Sequence, residues 1–232
     1  MKLGLLAIAM ALLSTFSVSA AEPPRGLDLA RTAQFDYDPP EAGSYTLPVI
    51  KPAPDGRVLD EQGQPRSLRR LLAGKISLVS FIYTRCADPN GCPLATAVLY
   101  DIHDASEADR ALADNLRMVS LSFDPENDTP EVMAGFRGHD PADAPRRNEW
   151  SFLTTASQAD LQPILKRFDQ VVLRRTGEDG RDLGLYAHQL RVYLVDRRGN
   201  VRNIYGLGFL DPRLLVADVH TLLAEERRKP MQ

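Results

Sequence analysis

The chain predicts an α/β fold in which a central mixed sheet is flanked by helices, and three observations carry that prediction. Ile76–Tyr83 and Leu116–Phe123 read as strands buried on both faces, apolar and rich in β-formers. Each is followed by a stretch with apolar residues at helical spacing. Near the C-terminus, two further strand patterns flank Arg198-Gly199-Asn200 and lead into a last helical pattern. Strand–helix–strand units closed by a hairpin and a helix make a layered arrangement of thioredoxin type.

The 232 residues suit one domain with flanking segments. With 44% hydrophobic and 25% charged residues, the chain can bury a proper core. A net charge of −3 offers no basic footprint, so nucleic acid is not an expected partner.

The elements follow in order. Residues 1–21 hold Lys2, an apolar run Leu5–Leu13 and small residues at Ser17–Ala21, the layout of a secretory signal peptide. An uncleaved anchor helix is the alternative, although Ser14, Thr15, Ser17 and Ser19 thin its apolar character. No cysteine lies near the expected cleavage point, which excludes a lipoprotein anchor, and no later segment is apolar enough to span a bilayer. The expected location is therefore the periplasm. Residues 22–42 read as a linker or leader, 43–228 as the folded domain and 229–232 as a tail. Tyr45–Leu47 and Arg57–Leu59 are expected to form an irregular hairpin. Ser67 caps a short helix through Leu72 that Gly74 stops.

The first buried strand runs into Thr84–Pro93, where Pro93 suits the first turn of a helix continued by Leu94, Val98, Leu99 and Ile102. The second ends at Asp124-Pro125, after which Thr129 caps a helix with Pro130 in first position and Val132, Met133 and Phe136 on its apolar side. Trp150–Leu153 is a third strand candidate. Leu161, Ile164, Leu165 and Phe168 mark a helix that accommodates Pro163 only if it begins near Leu161. Leu190–Val195 and Val201–Tyr205 form the late hairpin, and Leu214–Leu223 the closing helix.

Two cysteines, Cys86 and Cys92, carry the chemistry. A disulfide closing so short a loop restrains little of the unfolded chain, so a purely stabilising bridge is the weaker explanation. The pair sits where a central strand hands over to a helix, and Cys92 falls at the helix start, whose unpaired N–H groups and dipole favour a thiolate. Pro89-Asn90-Gly91 is a turn signal that would fold the two sulfurs together. Thiolates are soft ligands that select ions such as Cu(I), but two cysteines by themselves do not separate metal binding from redox work.

Four segments together resemble one family. Ser80–Cys86 up to Cys92-Pro93 resembles the metal loop of the Sco/SenC family, and Ser122–Glu131 is similar to its D-P-x-x-D-T-P element. Trp150–Thr154 is similar to its tryptophan strand, and His188 ahead of Val192–Asp196 and Gly199 matches its histidine before a late hairpin. The resemblance runs in order from about Gly43 to the C-terminus. It implies a monomeric thioredoxin-like domain binding Cu(I) or Cu(II), with Cys86 and Cys92 as thiolate ligands and His188 as imidazole ligand. It further implies delivery of copper, or of reducing equivalents, to a cytochrome c oxidase subunit, with a thiol reductant as second partner. The family's usual spacing is three residues between the cysteines, whereas five intervene here, which eases a relaxed disulfide and weakens the copper expectation.

Other readings stay open beside it. A metallochaperone is not an enzyme, whereas a thiol–disulfide oxidoreductase acting through Cys86 and Cys92 would be one. That class keeps a cis-proline ahead of a late strand, and no proline lies between Pro163 and Pro212. A peroxiredoxin-like peroxidase fits poorly, because Thr84 and Arg85 precede Cys86 in an order unlike that motif. A plain interaction domain with an incidental disulfide is the remaining possibility. Among the other residues, His103 is expected at the surface, and His139 and His220 are expected to be structural or solvated. Met118 and Met133 read as core. Asp124 either orients the metal loop or caps the turn before Thr129. Gly206-Leu207-Gly208 lacks the rest of a dinucleotide fingerprint.

Overall fold

The computed structural model describes residues 35–137 and 148–228. The expected signal peptide, most of the leader, His139 and the tail lie outside the described residues. Within them a six-stranded mixed sheet runs in the order β1-β10-β9-β4-β5-β6. These strands are β1 (Lys51–Pro52), β10 (Asn200–Tyr205), β9 (Val192–Val195), β4 (Ile76–Ile82), β5 (Leu116–Ser122) and β6 (Glu149–Leu153). β4, β5 and β6 are parallel, and β4 pairs antiparallel with β9. β4 is buried at all seven positions, as its two-sided apolar pattern requires.

Helices cover both faces. On one face Trp150 packs edge-on against Tyr100 and His103 of α2 (Cys92–Ser106) and stacks on Phe152, whose ring meets Phe136 of α4 (Pro130–Phe136). Trp150 Nε1 donates to Ser120 Oγ, which shares a further hydrogen bond with Ser80, so these two buried hydroxyls are satisfied. On the other face Phe168 of α5 (Gln158–Phe168) packs against Phe81 and Tyr193. The chain before β1 runs along α6 (Pro212–Arg228), where Gly43 N–H donates to Thr221 Oγ1 and Tyr45 OH to Asp218.

Several expectations hold. Ser67 caps α1 (Leu68–Leu72), and Gly74 follows with a φ of +83°, a conformation that favours glycine. Thr129 caps α4 with Pro130 at its start. Met118 and Met133 are core.

Three others are corrected. Tyr45–Leu47 forms no hairpin with Arg57–Leu59; β2 (Arg57–Leu59) pairs instead with β3 (Pro65–Ser67), and Tyr45–Leu47 is held by α6. The Gly63 turn lies between β2 and β3, close in sequence, and local closure is the shorter route. α5 begins at Gln158, well before Leu161, and carries Pro163 inside it. Ser157 caps it from Asp160 N–H, and Leu161, Ile164, Leu165 and Phe168 are buried, so cap and packing outweigh the missing N–H of Pro163. His103 is buried against Trp150, because the side of α2 that carries it faces the sheet. Finally, the sequence reading missed α3 (Arg110–Asn115) and a separate two-stranded sheet, β7 (Val172–Thr176) with β8 (Asp182–His188).

Candidate metal centre

The cysteine loop leaves β4 at Tyr83 and is pinned at its base by a buried carboxylate. Asp128 accepts from the Thr84 backbone N–H and hydroxyl, and from Ser122 Oγ. Beyond Cys86, Asp88 turns the chain: its carbonyl accepts from Gly91 N–H at 2.9 Å and its carboxylate from Asn90 N–H. This is the turn that Pro89-Asn90-Gly91 predicts. Gly91 lets the loop pass close to the thiol, since a Cβ there would stand 3.1 Å from Cys86 Sγ, a tight contact. Cys92 is then the first residue of α2, with Gly91 as its cap.

His188 arrives from the opposite side as the last residue of β8. Its ring packs on Phe123 at 4.9 Å and edge-on to Tyr83 at 6.0 Å, and both rings also touch Tyr186. Gln170 Nε2 donates to the Gln189 carbonyl at 2.7 Å and holds the chain just after it. His188 Nε2 comes to 3.6 Å from Cys92 Sγ and 3.9 Å from Cys86 Sγ. The three donor atoms lie within 4.8 Å of one another, and both cysteines are free thiols. A cleft of about 320 Å³, lined by Tyr83, Cys86, Asp88 and His188 among others, opens onto Cys86 and His188.

The electrostatics are those of a desolvated site. Burial pushes the Cys92 thiol well up; the backbone of Tyr83 opposes the shift, and nearby Cys86 adds to it. The helix start therefore does not make Cys92 a resting thiolate: its 1% exposure outweighs the dipole. Burial also lowers the His188 pKa, against the Gln189 backbone and the Asp88 carboxylate. A neutral imidazole next to two thiols is a soft donor set whose sulfurs give up protons when a cation binds.

Comparison with known proteins decides the family. The sequence model of SCO1/SenC matches residues 55–224, which contain all three donors. The chain belongs to the SCO1/SenC family. A curated SCO1 protein homolog from Bacillus subtilis (strain 168) is 33% identical over 147 residues, 63% of this chain and 69% of that protein. The solved structure of BsSco is 26% identical with a TM-score of 0.57, over 77% of this Sco/SenC chain and 98% of that one. Copper-bound ScoI from Bradyrhizobium japonicum (21% identical, TM-score 0.56, 72% of this chain and 98% of that) shares the fold. So does copper-bound yeast Sco1 (20% identical, TM-score 0.58, 80% and 97%). The α/β arrangement with a central mixed sheet is thus the thioredoxin-like fold of Sco proteins.

Of the residues singled out from sequence, the Sco/SenC structure brings Cys86, Cys92 and His188 together. Neither His103 nor His220 joins them: His103 lies against Trp150, and His220 Nε2 is 2.7 Å from Asp109. Asp124 does more than cap a turn. Completely buried, it takes Arg85 Nη2 and the Tyr186 hydroxyl at 2.9 Å each. Sequence reasoning missed Tyr186, and it placed Asp128 in the D-P-x-x-D-T-P element without giving it the role of pinning the loop. A signal for Tyr186 was present, because it precedes His188 by two residues and a strand puts both on one face.

Proposed function

We propose that this protein is an exported, periplasmic copper-binding protein of Sco type, holding one copper ion through Cys86, Cys92 and His188. The observation that carries the reading is the convergence of two sulfurs and one imidazole nitrogen within 4.8 Å. Three donors of that softness suit Cu(I), and the imidazole also tolerates Cu(II). Copper-bound relatives with the same fold support the assignment, as does membership of the family. BsSco is described as a member of the Sco family of cytochrome c oxidase assembly proteins. By extension, this chain supplies copper to a cytochrome c oxidase subunit, or reduces a disulfide of the recipient site to its two thiols while Cys86 and Cys92 become oxidised.

In that role the chain's own groups do three things. Cys86, facing the cleft, is the sulfur a partner reaches first. Cys92, buried behind it, keeps its proton until a cation displaces it. His188 closes the set from a different element.

Anaerobic copper titration of the reduced protein is expected to saturate at one ion. His188→Ala should weaken binding severely while leaving the thiols titratable. If neither protein binds stoichiometrically, the copper reading falls. The alternative is reduction of a partner's disulfide through Cys86 and Cys92. The five-residue loop favours it by easing closure of a relaxed disulfide, and steady turnover with a disulfide substrate would establish it.

A further inference from the structure

We propose that Asp124 is a positioning residue that sets the distance between the thiol loop and the imidazole; the inference rests on the copper-site reading above. His188 sits on a hairpin outside the six-stranded sheet: among the described residues, β7 and β8 pair only with each other. Two isolated strands are marginally stable in water, so side chains must hold this pair in place. Asp124 is the carboxylate that reaches both sides. One oxygen takes Arg85, the residue before Cys86, and the other takes Tyr186, which shares a strand face with His188.

The carboxylate itself cannot drift. Its backbone N–H donates to Ser122 Oγ, its carbonyl accepts from Asn127 and Asp128, and Asn127 Nδ2 lies 3.0 Å from both of its oxygens. Arg85 is about half exposed (48%) whereas Asp124 is fully buried, so the ion pair balances a carboxylate held out of water. Its consequence is geometric. Arg174 reinforces the arrangement by bridging Glu126, just beyond Asp124, to Asp182 at the start of β8. Groups that orient ligands in this way set metal affinity by how much of the final geometry exists beforehand.

The test compares wild type, Asp124→Asn and Tyr186→Phe, the second retaining the ring packing and losing only the hydroxyl. Cu(I) affinity, measured by competition with a chromophoric chelator, is expected to fall about 10–100-fold in each. The Tyr186→Phe loss should vanish when His188 is already Ala, because that link works through the imidazole. Asp124→Asn should keep part of its effect there, through Arg85. In the metal-free protein, amide exchange in residues 182–188 should quicken in both variants while residues 116–122 keep their rates. Wild-type affinity and exchange in either variant overturn the proposal. So does an undiminished Tyr186→Phe loss in the His188→Ala background, which indicates general destabilisation. If wild type binds no copper, the copper reading fails separately, and the exchange measurement alone decides whether Asp124 holds the hairpin.

Discussion

At Gly56 there is no space for a side chain: a Cβ would stand 2.4 Å from Ile164 Cγ1 and 2.5 Å from its Cδ1. Ile164 is fully buried on α5, so it has no open volume to retreat into. Gly56→Ala should therefore destabilise the fold by about 1–3 kcal/mol through overpacking. The check is urea unfolding, with a lowered midpoint and an unchanged slope; a wild-type midpoint would mean that α5 slides without cost. Nothing local in Asp55-Gly56-Arg57 announces this, because the clash involves a residue more than a hundred positions away. The same holds at the site. Cys86 and Cys92 are legible as functional thiols from their place between strand and helix. The protonation of Cys92 is not, since desolvation is a property of what surrounds a side chain.

Among the elements, α5 shows how a local rule loses to packing. Proline at position 163 deprives the Ala159 carbonyl of its usual donor, yet the helix runs through it because Ser157 caps the start and four apolar side chains are buried beyond. Pro163 is exposed, so Pro163→Ala removes a helix penalty without opening a cavity. The expected gain is about 1–2 kcal/mol, the propensity difference lessened by the greater freedom of the unfolded chain. Thermal unfolding would read it as a raised midpoint, and an unchanged or lowered one would contradict it. The β7–β8 hairpin is the opposite case, an element present in the sequence but unread. Leu183, Leu185 and Ala187 alternate with Gly184, Tyr186 and His188, and Glu178-Asp179-Gly180 supplies a turn. The signal is faint because Leu173, Leu183 and Leu185 are exposed, so no buried face sharpens the alternation.

For the molecule as a whole, the closing helix ties the two ends of the domain together through one carboxylate. Asp218 accepts from Tyr45 before β1 and from Tyr205 and Asn203 on β10. Burial, then the Asp218 carboxylate, raises both phenols above their ordinary pKa. The unfolded chain releases these protons near pH 10, the folded chain only at higher pH. The stability they contribute is therefore complete below about pH 10 and is lost as pH climbs through the folded values. Chemical unfolding followed from about pH 8 to about pH 11.5 should show a steepening loss that Tyr45→Phe makes shallower; equal slopes in the two proteins would remove these phenols from the account. What the amino-acid order determined unaided was the layering of sheet and helices, the two thiols at a strand–helix junction and, by resemblance, the histidine that completes them. Periodicity and residue chemistry are local and can be read along the chain. Only the tertiary structure decided that an imidazole 96 residues beyond Cys92 meets both sulfurs, that Cys92 is kept protonated by burial, and that Asp124 joins the two halves of the site. Distance across the fold and exclusion of water exist only once the chain has packed.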